Sequence, residues 1–242
     1  MITTRRRAIS SYQIFHNAIQ FMAIYRYTFY KSPNIGVFVK ANDSTILIPH
    51  GFAETKSQKL AEYLEVRETR ASIAGTRLLG PMSVMNNNGI LLPSIASDDE
   101  VESIRQATQL KIERATSKFT AIGNLVAAND NGAVASPLLK GELDHQIQEV
   151  LGVPAHTMPI GGFVQTGSMI TATNVGAGVT PRATEEEVRI VSEVLQVPAE
   201  PVTVNGGMPF PTSGIVANSK SVVVGTLTSG PELIMMSRVF QA

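Results

Sequence analysis

The sequence predicts an α/β ring of five repeated units, closed by a strand from the N-terminal end. Three observations predict it. A short hairpin pattern recurs five times at a fixed period, and a capped amphipathic helix follows it. The fifth copy also runs out of chain before its last strand, while an unmatched strand stands at the front of the sequence.

The hairpin copies read GVFVKANDSTILIP from Gly36, GPMSVMNNNGILLP from Gly80, GNLVAANDNGAVASP from Gly123, GSMITATNVGAGVTP from Gly167 and GIVANSKSVVVG from Gly214. Their closing residues Pro49, Pro93, Pro137, Pro181 and Gly225 are each 44 positions apart. The turn residues Asn42, Asn86, Asn129, Asn174 and Asn218 keep that step to within one residue. Repetition at this period means supersecondary units stacked or set in a circle. In the second copy, Asn88-Gly89 is the pair suited to a two-residue type I′ turn.

A helix follows each hairpin. Ser97-Asp98-Asp99-Glu100 and Thr184-Glu185-Glu186-Glu187 read as capping boxes, a hydroxyl on the backbone and a glutamate reaching back. Behind the caps, Val101 and Ile104, then Leu143, Ile147, Val150 and Leu151, then Val188, Val191, Val194 and Leu195 recur at helical spacing; Leu60, Tyr63 and Leu64 do so in the first unit. Pro154 and Pro198 mark helix ends. The pairs Gly161-Gly162 and Gly206-Gly207 are expected to permit close packing or a bend. A linking strand is expected last, at Ala71 to Ala74 in one unit and Phe119 to Ile122 in another. For the fifth unit, whose helix falls at Pro231 to Met236, that strand lies past Ala242. One period before the first linking strand stand Tyr25 to Lys31, an aromatic-rich strand former. Joining it to the last unit closes the ring and leaves no bare edge.

Composition narrows the function classes. The chain has 242 residues, 43% hydrophobic and 17% charged, enough for one substantial core. No run reaches the roughly 18 apolar residues of a membrane helix. There is no cysteine, which removes disulfides, thiolate metal sites and thiol nucleophiles. The net charge is zero, yet residues 1–33 carry five bases and no acid, leaving 15 bases against 20 acids beyond them. A mildly acidic body disfavours broad phosphate binding and suits a basic protein partner.

Six runs spread over all five units carry a family resemblance: Asn34-Ile35-Gly36-Val37, Ala71 to Gly75 leading to Gly80, Asn88 to Pro93, Ala121-Ile122-Gly123-Asn124, Val204-Asn205-Gly206 and Gly214 to Asn218. From about Met22 to the C-terminus the chain resembles translation initiation factor six of archaea and eukaryotes. The resemblance implies a pentein fold, an α/β propeller-like ring with pseudo-fivefold symmetry occupying residues 22–242. It implies no enzymatic activity and no cofactor. It further implies a cytoplasmic, monomeric protein of archaeal type. Such factors bind the large ribosomal subunit, chiefly a basic ribosomal protein near the sarcin-ricin loop, block small-subunit joining and take part in large-subunit maturation. Three departures stand out. Residues 1–21 have no counterpart in the family pattern and are expected to be a disordered extension or to precede a native start at Met22. Pro209 and Pro211 fall where the family has a regular strand, which puts its pairing in question. Pro81 stands where family members often carry a bulkier or charged residue.

Asn124, which matches the family's Gly-Asn position, Met82 and Ser168 beside the axial glycines, Gly80 itself and the ladder residue Asn86 are read as ribosome contacts. Asn124 has two readings, a contact or an amide that satisfies local backbone. The ladder asparagines, Asn86 included, read either as contacts or as turn formers. Gly36, Gly80, Gly123, Gly167 and Gly214 read as close-packing positions near the ring axis. His50, His145 and His156 lack the spacing of a metal site, and none is expected. Gly176-Ala177-Gly178 lacks the third glycine and the following helix of a dinucleotide loop. Arg5-Arg6-Arg7 has no clean apolar run behind it, so a secretory signal is not read there. The alternative is an enzyme on the same ring acting on guanidino compounds, which would need a cysteine this chain lacks. A scaffold using the ring only as an adhesive surface is a third reading.

Overall fold

The computed structural model describes residues 22–241, and the reading of residues 1–21 lies outside them. Five three-stranded sheets stand around one axis, each carrying a helix on its outer side. The first unit shows the plan. Strands β2 (Lys40–Ala41) and β3 (Thr45–Pro49) form an antiparallel hairpin, helix α1 (Glu54–Leu64) follows, and β4 (Arg67–Ala71) returns parallel to β3. Units two to four repeat it with β5 (Val84–Met85), β6 (Gly89–Leu92), α2 (Asp98–Thr108) and β7 (Lys111–Arg114), then β8 (Val126–Ala128), β9 (Ala133–Ala135), a helix α3 and β10 (Ala155–Thr157), then β11 (Ile170–Ala172), β12 (Ala177–Val179), α4 (Glu185–Leu195) and β13 (Ala199–Pro201). Helix α3 starts at Asp144–Gln146 and continues as a π-helical stretch Ile147–Leu151.

The fifth unit holds β14 (Ile215–Ala217), β15 (Ser221–Gly225) and α5 (Gly230–Val239), and its third strand is β1 (Ala23–Tyr27). β1 lies parallel to β15 with Ala23 opposite Ser221 and Tyr27 opposite Gly225, so the ring closes as expected. The linking strands themselves sit earlier than the sequence reading placed them. They begin at Ala23, Arg67, Lys111, Ala155 and Ala199, a uniform step of 44 residues. Ala71 to Ala74 and Phe119 to Ile122 are mainly the turns after them. Three of the five residues of Arg67–Ala71 are charged, and hydrophobicity alone draws the eye past it.

Each central strand is buried on both faces, which is why ILI, ILL and VVV are written without alternation. Ile46 and Ile48 pack under the helix of their own unit, with Leu60 and Leu64, whereas Leu47 packs with Ile73, Leu79 and Ile90 of the second unit. Leu91 joins Ile122 and Leu143 of the third unit, Val134 joins Ile170 of the fourth, and Val223 joins Ile46 and Phe29 across the closure. The core is therefore five wedges, each shared by two neighbours. At about 2 kcal/mol per buried aliphatic side chain, the shared wedges are what hold the ring together.

The helices begin where their caps place them. Ser97 with Glu100 and Thr184 with Glu187 form both expected capping boxes, and Ser229 with Glu232 forms a third that Pro231 obscured in the sequence. The three glutamates also reach outside their helices. Glu100 accepts from the Ala74 and Gly75 backbone N–H groups, Glu187 from Gly161, and Glu232 from Gly206 and Gly207. Both glycine pairs have positive φ, and the N–H groups of Gly161, Gly206 and Gly207 are held by the helix cap, a more specific role than a bend.

Candidate functional site

The two ends of the ring are built differently. At one end every hairpin starts from a short helical turn: Ile35–Val37, Leu79–Met82, Ile122–Asn124, Thr166–Met169 and Pro211–Gly214. These five turns form a collar. A Cβ on Gly80 would overlap the Gly36 carbonyl, one on Gly123 the Gly80 carbonyl, one on Gly167 the Gly123 carbonyl, and one on Gly36 the Thr212 carbonyl. The glycines are present because successive backbones touch there. Four of the five expected glycines serve this way, and Thr212 takes the fifth place instead of Gly214, with its hydroxyl on the Ser168 carbonyl at 2.8 Å. Pro211 opens the fifth turn at its first helical position, where proline is favoured, so the two prolines interrupt no strand.

At the other end the hairpin turns converge on the axis as a polar plug. Asn42 donates to the Asn86 carbonyl, Asn86 to that of Asn129, Asn129 to that of Thr173, and Asn218 to that of Asn42. The structural equivalent in the fourth unit is therefore Thr173, and Asn174 lies one place further on. That next layer holds Asp43, Asn87, Asp130, Asn174 and Ser219. The Asp43 carboxylate accepts from Asn87, Asn174 and Ser219, and Asp130 accepts from Asn87 and Asn174. One carboxylate of the first unit thereby binds the second, fourth and fifth.

The expected contact residues divide between these ends. Gly80 is buried in the collar, and Asn124 and Ser168 line its inner side half-buried. The Asn124 amide makes no side-chain hydrogen bond among the described residues. Met82 is 8% exposed and belongs to the wedge with Leu47 and Ile73. Asn86 lies at the other end, buried in the plug, where it donates to Asn129 and Leu151 and accepts from the Asn88 and Gly89 N–H groups. Its turn is not type I′: Asn87 and Asn88 are the central residues and neither has positive φ. The side chain of Asn86 closes the turn instead, an Asx turn that the sequence pattern resembles closely.

Hydrophobicity separates the ends further. Tyr30, Leu78, Ile95, Leu138, Met208 and Leu227 are exposed large apolar residues in loops at the collar end. Arg77 sits over the Tyr30 ring at 5.7 Å and Lys118 over Phe119 at 5.4 Å. The plug end presents Glu62, Glu65, Gln109, Gln196 and Lys220 around its amides. No sequence periodicity announces the apolar loops, because they lie between elements. Among the described residues no three histidine or acidic side chains gather as a metal site, and no helix is long and apolar enough to cross a membrane.

The eIF-6 family model matches residues 24–239. Translation initiation factor 6 of Nitrosopumilus maritimus is 53% identical over 219 residues, 90% of this chain and 99% of the relative. That of Cenarchaeum symbiosum is 50% identical with the same coverage, and that of Pyrococcus furiosus 43% identical over 88% of this chain and 96% of the relative. A match through all five wedges, with the closing strand inside it, leaves one conclusion: the chain belongs to the eIF-6 family.

Proposed function

We propose that the protein binds the large ribosomal subunit through its collar end and keeps the small subunit from joining, with a part in large-subunit maturation. The match along the whole ring carries this reading, since the relatives are named translation initiation factor 6. The collar supports it physically. Exposed apolar and aromatic side chains, the unengaged Asn124 amide and two aromatic-stacked cations make a surface suited to protein contact. The partner is chiefly a basic ribosomal protein near the sarcin-ricin loop, and the factor acts in the cytoplasm as a monomer by occupying space. No turnover is needed. The guanidino-enzyme reading finds no support in the cavity of about 120 Å³ on the ring axis, whose lining among the described residues has no thiol, imidazole or carboxylate.

Sedimentation with salt-washed large subunits tests this directly. The protein is expected to travel with the large subunit at micromolar concentration and to lower the yield of joined ribosomes. Protein left at the top of the gradient would defeat the proposal.

A further inference from the structure

The chain contains three Asn-Gly bonds, Asn88-Gly89, Asn131-Gly132 and Asn205-Gly206. Such bonds are chemically labile: with no Cβ to crowd it, the glycine backbone nitrogen can reach the carbonyl carbon of the asparagine side chain. The fold treats the three differently. In the plug, Gly89 and Gly132 are buried, and their N–H groups donate to the Asn86 and Asn129 side chains at 3.1 and 3.0 Å. A Cβ on Gly89 would overlap the Val150 carbonyl and one on Gly132 the Val194 carbonyl, so the backbone has no room to turn. The amides of Asn88 and Asn131 are held in addition by the Leu151 and Leu195 carbonyls. Asn205-Gly206 lies instead in the collar-end turn between Val204 and Met208. Gly206 and Gly207 are exposed, and around Gly206 only the Leu227 carbonyl comes as near as 3.9 Å to where a Cβ would stand. The Gly206 N–H is held by the Glu232 carboxylate at 3.1 Å, and the Asn205 amide donates to the Pro33 carbonyl at 3.0 Å and to Asn34 Oδ1 at 3.3 Å.

We propose that Asn205 is the site of spontaneous deamidation in the folded protein, that the Glu232 carboxylate restrains the reaction, and that its product loosens the ring closure. The Gly206 nitrogen gives its proton to hydroxide and bonds to Asn205 Cγ, and the displaced amide nitrogen takes a proton from water and leaves as ammonia. The cyclic imide so formed is opened by water, giving aspartate by attack at Cγ or isoaspartate by attack at the backbone carbonyl. Nothing is oxidised or reduced. A carboxylate beside that nitrogen opposes the negative charge it must develop, so Glu232 slows the first step as well as fixing the turn. Opening one exposed turn is enough at Asn205, whereas the other two sites wait for the plug to open. The new carboxylate faces two acceptors, the Pro33 carbonyl and Asn34 Oδ1, where a donor stood before, and a tie between the fifth and first units is lost. The function proposed above does not depend on this site.

Peptide mapping of the whole protein, kept folded in mildly alkaline buffer, reads conversion at each site as the change in mass when NH₂ becomes OH. Asn205 is expected to convert about tenfold or more faster than Asn88 and Asn131, and the three rates should converge in urea. Glu232→Gln should speed Asn205 further and widen its lead over the other two. Asn205→Asp, which carries the product's charge, should lower the urea midpoint. Folded-state conversion at Asn205 no faster than at Asn88 and Asn131, a lead that Glu232→Gln leaves unchanged, or an unaltered midpoint in Asn205→Asp overturns the proposal. Should Glu232→Gln fail to fold, the ranking of the three sites in the unaltered protein decides it.

Discussion

The collar and the plug close the same ring by opposite means. The collar brings backbone against backbone and leaves its side chains outward, whereas the plug turns its side chains inward and spends them on one another. A face whose polar groups are all engaged with itself has little left to offer a partner. On the function proposed above, the plug serves stability and the collar recognition, although the glycines of the collar are themselves structural.

Substitution should sharpen that division. Gly80→Ala has the largest expected effect, because its methyl would displace the Gly36 carbonyl; we expect a loss of about 3 kcal/mol or more, read as a lower urea midpoint. Collar backbone that tolerated the change would break the account of the collar. Next is Glu232→Gln. Burial alone would raise the Glu232 pKa, but N–H groups from Ser229, Gly207 and Gly206 and the Ser229 hydroxyl more than offset it and hold it at about 2. The folded value lies below the unfolded 4.5, so this stabilisation is present above pH 4.5 and is lost as pH falls toward 2. We expect the variant to lose on the order of 2–3 kcal/mol at pH 7 and to show a flatter acid-unfolding profile. Asp43→Ala, which cuts the plug's links to three other units, is expected to cost about 2 kcal/mol while leaving subunit binding intact.

The smaller effects run the other way. Asn124→Arg should weaken large-subunit binding at least tenfold in sedimentation and change stability by no more than about 0.5 kcal/mol. A large stability loss would return Asn124 to the fold. Lys40→Met should raise the melting temperature at pH 7, because burial without a partner among the described residues penalises the charged form. The Lys40 pKa is about 8 when folded against 10.5 unfolded, so its penalty is full below pH 8 and is relieved as pH rises toward 10.5.

The ring and its closure were legible because their signals are periodic. Prolines 44 apart and doubly buried strands such as Ile46-Leu47-Ile48 mark the units without any structure. The linking strands were legible only in number. Arg67-Glu68-Thr69-Arg70 carries three charges and no hydrophobic run, so its place follows from its partner and not from its own residues. The site was harder still. Asn86 and Asn124 are the same residue type in neighbouring units, and whether an amide faces the axis or the collar is decided by a fold in three dimensions. The apolar residues of the collar loops are scattered singly along the chain and become one surface when five loops meet.

The pairing of Ala23–Tyr27 with Ser221–Gly225 has a consequence for biosynthesis. The first of these strands, made early in synthesis, must wait for almost the last, and in the meantime its hydrogen-bonding edge has no native neighbour. A circular permutant that begins at residue 32 and carries residues 22–31 behind the final helix would turn that long-range pairing into a local one. It should reach the same ring sooner, with fewer chains lost to aggregation on the way.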